Sequence, residues 1–220
     1  GGFFTEAEPD AMLTEVHRQA ADDPIIRMSL DVREGRELAY GQYGESRVAS
    51  RREIATEEVT AADQVLVGTN RTRKLYNGRL RELKGLLDPM PAVGDKLVCL
   101  RNDKTKGLFN GGTWVVQRLK SSDASRVKLD ILPDEDGARR SVSVSVLKAF
   151  FEGDVEAIPF AQRRRSDEFD YGYALTVHKA QGSQWDNVVL FDESYAFREH
   201  RDRWLYTGLT RAAKRVTVVR

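Results

Sequence analysis

The chain has 220 residues, 40% hydrophobic and 31% charged, with 35 Lys and Arg against 34 Asp and Glu for a formal net charge of +1. This excludes a disordered chain and a uniformly basic nucleic-acid binder, and no apolar run approaches the roughly 20 residues of a membrane span. A single cysteine, Cys99, excludes an internal disulfide framework, suits a reducing cytoplasmic compartment and, set among Leu97 and Leu100, reads as an inert core thiol.

The sequence opens on Gly1-Gly2-Phe3-Phe4 and stops at Arg220 just after an apolar run, and so reads as a piece of a longer protein. His17 and Arg18 fall on a connecting segment; taken alone, Arg18 suits a surface salt bridge. Asp23-Pro24 then supplies an N-cap and a proline for a helix with Ile25, Ile26, Ser29 and Leu30 at helical spacing, closed by Gly35. Residues 64–68 form a continuous apolar run of the kind parallel strands show. Thr69-Asn70 caps a helix over 71–84, with Leu75, Leu80 and Leu83 on its apolar face and Gly85 and Pro89 after it. Its first turn, with free backbone N–H groups and Arg71, Arg73 and Lys74, suits a phosphate; a solvated basic turn is the other reading.

From about 91 to 151 the period changes. Strands are predicted at 96–100, 113–119, 126–132 and 140–146, separated by turn signals such as Asn110-Gly111-Gly112 and Asp134 to Gly137. Short antiparallel strands at this spacing make a small sheet or an SH3-like barrel, inserted between two α/β pieces. Lys96, Arg101, Lys104 and Lys106 place basic charge near one end of it. Trp114 is either core or a platform for a base. Arg163-Arg164-Arg165 reads as a solvated link.

The stretch 173–190 holds two apolar strand-like runs, 173–177 and 188–191. Between them lie Thr176, His178, Lys179, Gln181, Gly182, Ser183 and Gln184. Polar groups between two strands lie at a sheet edge, where open α/β sheets bind ligands. Asp192-Glu193 follows; two carboxylates at a strand end suit Mg²⁺, but no phosphate-gripping glycine loop precedes them. In 204–212 Leu205, Leu209 and Ala212 share a helical face, Arg211 falls away from it, and a final strand follows at 215–219.

Thr-Val-His-Lys-Ala-Gln-Gly-Ser-Gln at 176–184 and Trp-Leu-Tyr-Thr-Gly-Leu-Thr-Arg-Ala at 204–212 resemble motifs V and VI of superfamily 1 DNA helicases, RecD/TraA-like branch. The segment 13–19 is similar to an earlier motif whose arginine reaches the nucleotide, and Gly94-Asp95-Lys96 with Phe109-Asn110-Gly111 resembles the SH3-like insertion of that branch. The resemblance implies an α/β fold: a second RecA-like parallel-sheet domain at 1–90 and 156–220, interrupted by an SH3-like β-barrel at 91–155. It implies Arg211 as arginine finger with Arg18 as a second γ-phosphate contact, and Gly182, Gln181 and Gln184 around the nucleotide. Gln184 stands where related helicases often carry Glu. It implies Thr176, His178 and Lys179, with Asn70 and Arg73, as contacts to single-stranded DNA, and 5′-to-3′ translocation with duplex unwinding. The cofactor it implies is ATP with Mg²⁺. No Gly-x-x-x-x-Gly-Lys-Ser/Thr loop occurs, so the phosphate loop and the Mg²⁺ ligands are expected in an N-terminal RecA-like domain of the same protein. Alone, the chain is expected to hydrolyse nothing. A recombination or repair complex is a further implied partner. The alternatives are a non-catalytic nucleic-acid-binding module derived from such a domain, and a peptide-capturing interaction protein.

Overall fold

The computed structural model describes residues 22–153 and 155–220. They fall into two compact units, one of residues up to Asn70 with Thr176–Arg220, the other Arg71–Leu175. The helices are α1 (Pro24–Arg33), α2 (Thr56–Thr60), α3 (Asn70–Leu83), α4 (Ala149–Glu152), α5 (Phe160–Arg163) and α6 (Arg201–Leu209). The strands are β1 (Gly41–Tyr43), β2 (Ser46–Ala49), β3 (Gln64–Val67), β4 (Lys96–Cys99), β5 (Thr113–Ser122), β6 (Arg126–Pro133), β7 (Val142–Leu147), β8 (Phe169–Tyr171), β9 (Ala174–Thr176), β10 (Trp185–Phe191) and β11 (Ala212–Val219). Among the described residues no helix is long and apolar enough to cross a membrane.

The first unit is organised on a mixed, mostly parallel sheet in the order β1-β2-β11-β10-β3-β9, and the chain passes from one unit to the other within β9. β10 lies parallel to β3 and to β11, β11 parallel to β2, and only the β1–β2 hairpin runs antiparallel among these pairs. All of β3, Val188, Val189 and Leu190 of β10, and Val216 to Val219 of β11 are buried, as expected for parallel strands covered on both faces. α1 packs on α6. Its cap is the predicted Asp23, whose carboxylate accepts the Ile25 N–H at 2.9 Å. The buried residues are Ile25, Met28, Ser29 and Val32, whereas Ile26 and Leu30 are half-buried flanks. α6 sits close on the sheet because of Gly208. A Cβ there would lie 2.9 Å from a Leu190 methyl and 3.3 Å from one of Val177.

The second unit carries a separate antiparallel sheet, β7-β6-β5-β4-β8. The four strands expected between 91 and 151 are present, and a fifth, β8, comes from farther along the chain. A parallel bridge joins Val146 to Asp167, two residues ahead of β8, so the two edges of the sheet approach each other there. Trp114 is 7% exposed, which settles it as core. Three of the four basic residues at one end are held locally. Lys96 pairs with Asp134 at 3.0 Å, Lys106 with Asp167 at 2.8 Å, and Arg101 donates to the Ser166 carbonyl at 2.7 Å.

The face predicted for α3 is corrected. Leu75 and Leu83 are 68% and 42% exposed, and the helix buries Asn77 and Arg81 beside Leu80. Asn77 accepts the Ala174 N–H at 2.8 Å and donates to the carbonyls of Tyr171 and Ala174. A side-chain amide filling three backbone partners fixes a helix without needing an apolar stripe.

Candidate functional site

Residues 176–185 run from the C-terminal end of β9 to the N-terminal end of β10. Val177 N–H donates to Val67 O at 2.9 Å, which sets the start of this loop beside the C-terminal end of β3. Thr176 is 9% exposed and acts as a cap: its hydroxyl accepts the Lys179 N–H at 3.2 Å, and its carbonyl accepts the Ala180 N–H at 3.1 Å. The turn it caps leaves His178 exposed and Lys179 half-buried. Gln181 and Gly182 follow, both exposed. Gly182 has φ +84°, and a Cβ on it would meet nothing within 4 Å. Its glycine therefore serves the left-handed backbone, which costs other residues about 1–2 kcal/mol, and not a close contact within the chain.

At the far end of the loop stands Arg211, at the C-terminus of α6. Its Nε donates to Thr207 O at 3.1 Å, Nη1 to Ser183 O at 3.0 Å, and Nη2 to the Thr210 hydroxyl at 3.2 Å. Gln184 Nε2 donates to Thr210 O at 3.3 Å, and Trp185 N–H to Arg211 O at 2.9 Å. The structure thus brings Gly182, Gln184 and Arg211 together at the N-terminal end of β10, with Gln181 on the adjoining turn. A guanidinium has five N–H donors, so these contacts fix its plane and leave two donors for a ligand.

The opposite, C-terminal edge of the sheet is held by a carboxylate. Glu193, 4% exposed, accepts the N–H groups of Gly68 at 2.8 Å and Thr69 at 3.2 Å, and the Thr69 hydroxyl at 3.3 Å. The approach demands glycine: a Cβ on Gly68 would lie 2.7 Å from Glu193 Cβ and 3.0 Å from the Phe197 ring. A protein carboxylate thus fills the two amides that immediately precede α3. The Mg²⁺ reading of Asp192-Glu193 changes, because Asp192 accepts the Ser194 N–H at 2.9 Å and pairs with Arg220 at 3.4 Å. Glu193→Ala strands two N–H groups that are poorly reached by water, and is expected to lower the unfolding free energy by about 2 kcal/mol in urea melts. An unchanged melt would mean water replaces the carboxylate.

The DNA candidates divide. Thr176, His178, Lys179 and the exposed Asn70 gather at the C-terminal edge, beside the Gly68–Glu193 clamp. Arg73 follows Asn70 by one turn of α3. It lies in the second unit, donating to Asp170 at 3.0 Å. Burial raises the Asp170 carboxyl above the ordinary carboxylate range, with the Arg73 charge opposing. Arg18 and His17 lie outside the described residues. The Glu193 clamp and Gly68 escaped sequence reasoning; the one signal was an acidic residue at a strand end with no ligand set around it.

Residues 171–219 match the UvrD-like helicase C-terminal domain. The chain's sequence similarity extends to helicases of the superfamily 1, RecD-like kind. Along 96% of its length it is 30% identical to the ATP-dependent RecD2 DNA helicase of Deinococcus radiodurans, of which it spans 29%. Over 57% it is 24% identical to the RecBCD enzyme subunit RecD of Buchnera aphidicola subsp. Schizaphis graminum, of which it spans 17%. The chain thus spans less than a third of these curated relatives. Its coordinates overlay on a crystal structure of Pif1 helicase from Candida albicans with TM-score 0.49 and 15% identity, covering 89% of this chain and 53% of that one. That overlay is too loose to transfer any residue's role.

Proposed function

We propose that this chain is the second, RecA-like motor domain of an ATP-dependent DNA helicase, with the antiparallel unit as its SH3-like insertion, moving 5′-to-3′ along single-stranded DNA and unwinding duplex in the cytoplasm. The observation that carries this is the separation of the two candidate sites within one unit. The phosphate-directed arginine sits at the N-terminal end of β10, the strand-directed Thr176, His178 and Lys179 at the C-terminal edge, and a loop of eight residues, 177–184, joins them.

Phosphoryl transfer spreads negative charge over the γ-phosphate oxygens, and a permanently charged, planar guanidinium suits it. Arg211, braced by Ser183 and Thr207, meets ATP presented with Mg²⁺ by the N-terminal RecA-like domain of the same polypeptide, and Arg18 adds a second contact. Gly182, Gln181 and Gln184 line the same approach. Because Arg211 is bonded to Ser183 O, a displacement of the arginine passes along the loop to the cap at Thr176. Nucleotide state and grip on the strand are then two readouts of one loop. Asn70 extends the strand contacts, and Arg73 enters only if it leaves Asp170.

The test compares the full-length protein with residues 1–220. The full-length protein is expected to hydrolyse ATP, faster with single-stranded DNA, and to separate strands. Residues 1–220 are expected to bind single-stranded DNA without sequence preference, weakening steeply with salt, and to hydrolyse nothing. Robust turnover by residues 1–220 sinks the split-site reading. Absence of DNA-stimulated turnover in the full-length protein favours the non-catalytic binding module.

A further inference from the structure

The short helical turn Ser194–His200 follows directly on the Glu193 clamp, so it begins at the edge that holds Asn70, His178 and Lys179. It is a 3-10 turn, in which side chains at i and i+3 eclipse. Ser194 and Phe197 form one line. Ser194 is buried, and the Phe197 ring stacks on Trp204 with centroids 5.4 Å apart and planes at 12°. Tyr195, and Arg198 at the kink that interrupts the turn, both face solvent. Tyr195 is 72% exposed, and Arg198 is exposed as well.

Arg198 also holds a backbone conformation that arginine rarely adopts, φ 49° and ψ −115°. Such a residue costs on the order of 1–3 kcal/mol and persists where its surroundings over-determine it. Here the Phe197–Trp204 stack fixes one side of it and the start of α6 at Arg201 the other.

We propose that Tyr195 is a stacking platform for the bases of single-stranded DNA crossing the C-terminal edge, with Arg198 reaching the phosphate chain alongside. The inference rests on the DNA reading above and adds what that reading lacked. Thr176, His178, Lys179 and Asn70 are polar, and phosphate contacts position a strand without engaging its bases. Aromatic stacking supplies a sequence-tolerant grip, because every base has a π-face. Glu193 sharpens the division of labour: with its carboxylate in the Gly68–Thr69 amides, that turn repels a phosphate, so the strand is held there through its bases.

The test uses residues 1–220 with two fluorescently labelled strands of equal length, one oligothymidylate and one of abasic sugars. Wild type is expected to bind thymidylate roughly tenfold tighter than the abasic strand. Tyr195→Ala is expected to lose about tenfold on thymidylate, nothing on the abasic strand, and Tyr195→Phe to retain wild-type affinity on both. The thermal midpoint of each variant should match wild type, since the side chain is exposed. Equal losses on both strands, or no loss on thymidylate, overturn the stacking role. If wild type binds neither strand, the DNA reading itself fails; if it binds both but Tyr195→Ala discriminates as wild type does, only the Tyr195 assignment fails.

Discussion

Alanine in place of Arg211 in the full-length polypeptide is expected to slow DNA-stimulated ATP turnover about a thousandfold, the lower end for arginine fingers. The loss should fall on kcat, because the charge that the guanidinium opposes develops only in the transition state. Arg211→Lys should recover little. An ammonium has three donors and no plane, and it cannot hold Ser183 O and Thr207 O while still facing a phosphate. Since Arg211 also braces the loop, its removal is expected to destabilise residues 1–220 by about 1–3 kcal/mol, the value of hydrogen bonds to a charged group. That structural loss is measurable by melting and too small to abolish turnover at a temperature well below the transition. Normal turnover in Arg211→Ala would reduce the residue to a brace between α6 and the 177–184 loop.

The elements most legible in the sequence were those whose burial is apolar and regular. β3 and β10 announced themselves as unbroken apolar runs, and β4 to β7 as alternating strands between turns. Gly182 and Arg211 were legible through their motifs, but their partnership was not: Ser183 joins them through a backbone carbonyl, and every residue has one of those. α3 misled for the converse reason. Counting leucines put Leu75, Leu80 and Leu83 inward; Leu80 is buried, but the helix is otherwise seated by an amide and a guanidinium, which an apolar pattern does not reveal. Glu193 was invisible for a related reason. Its partners, Gly68 and Thr69, are more than 120 residues away in the chain, and a carboxylate that caps amides looks in sequence like one that binds metal.

The largest stability effect is expected at Arg81. It is 5% exposed, and its partner Asp95 is fully buried at 0%. Nε and Nη2 of Arg81 reach the two Asp95 oxygens at 3.2 and 3.0 Å, Nη1 donates to Asp88 O at 2.7 Å, and Nη2 also to Met90 O at 3.0 Å. The guanidinium lies 4.2 Å from the centre of the Tyr171 ring. Asp95 further accepts the Tyr173 hydroxyl at 2.7 Å and the Ala92 N–H at 2.8 Å. Burial, reinforced by the Asp95 charge, raises the Tyr173 phenol well above its ordinary range, so it remains a donor at any working pH. Arg81→Met keeps the length and packing of the side chain but leaves a buried carboxylate without its cation. The expected loss is about 3–5 kcal/mol in urea unfolding of residues 1–220, against near-zero effects for exposed pairs such as Arg79–Glu82. The double variant Arg81→Met/Asp95→Asn separates charge from shape. If the penalty comes from the stranded charge, the double variant should be more stable than the sum of the single losses by about 1–3 kcal/mol, within the range for residues in one network. If instead the two losses simply add, Arg81 matters through its two bonds to the Asp88 and Met90 carbonyls. The network would then be a loop clamp whose carboxylate is incidental.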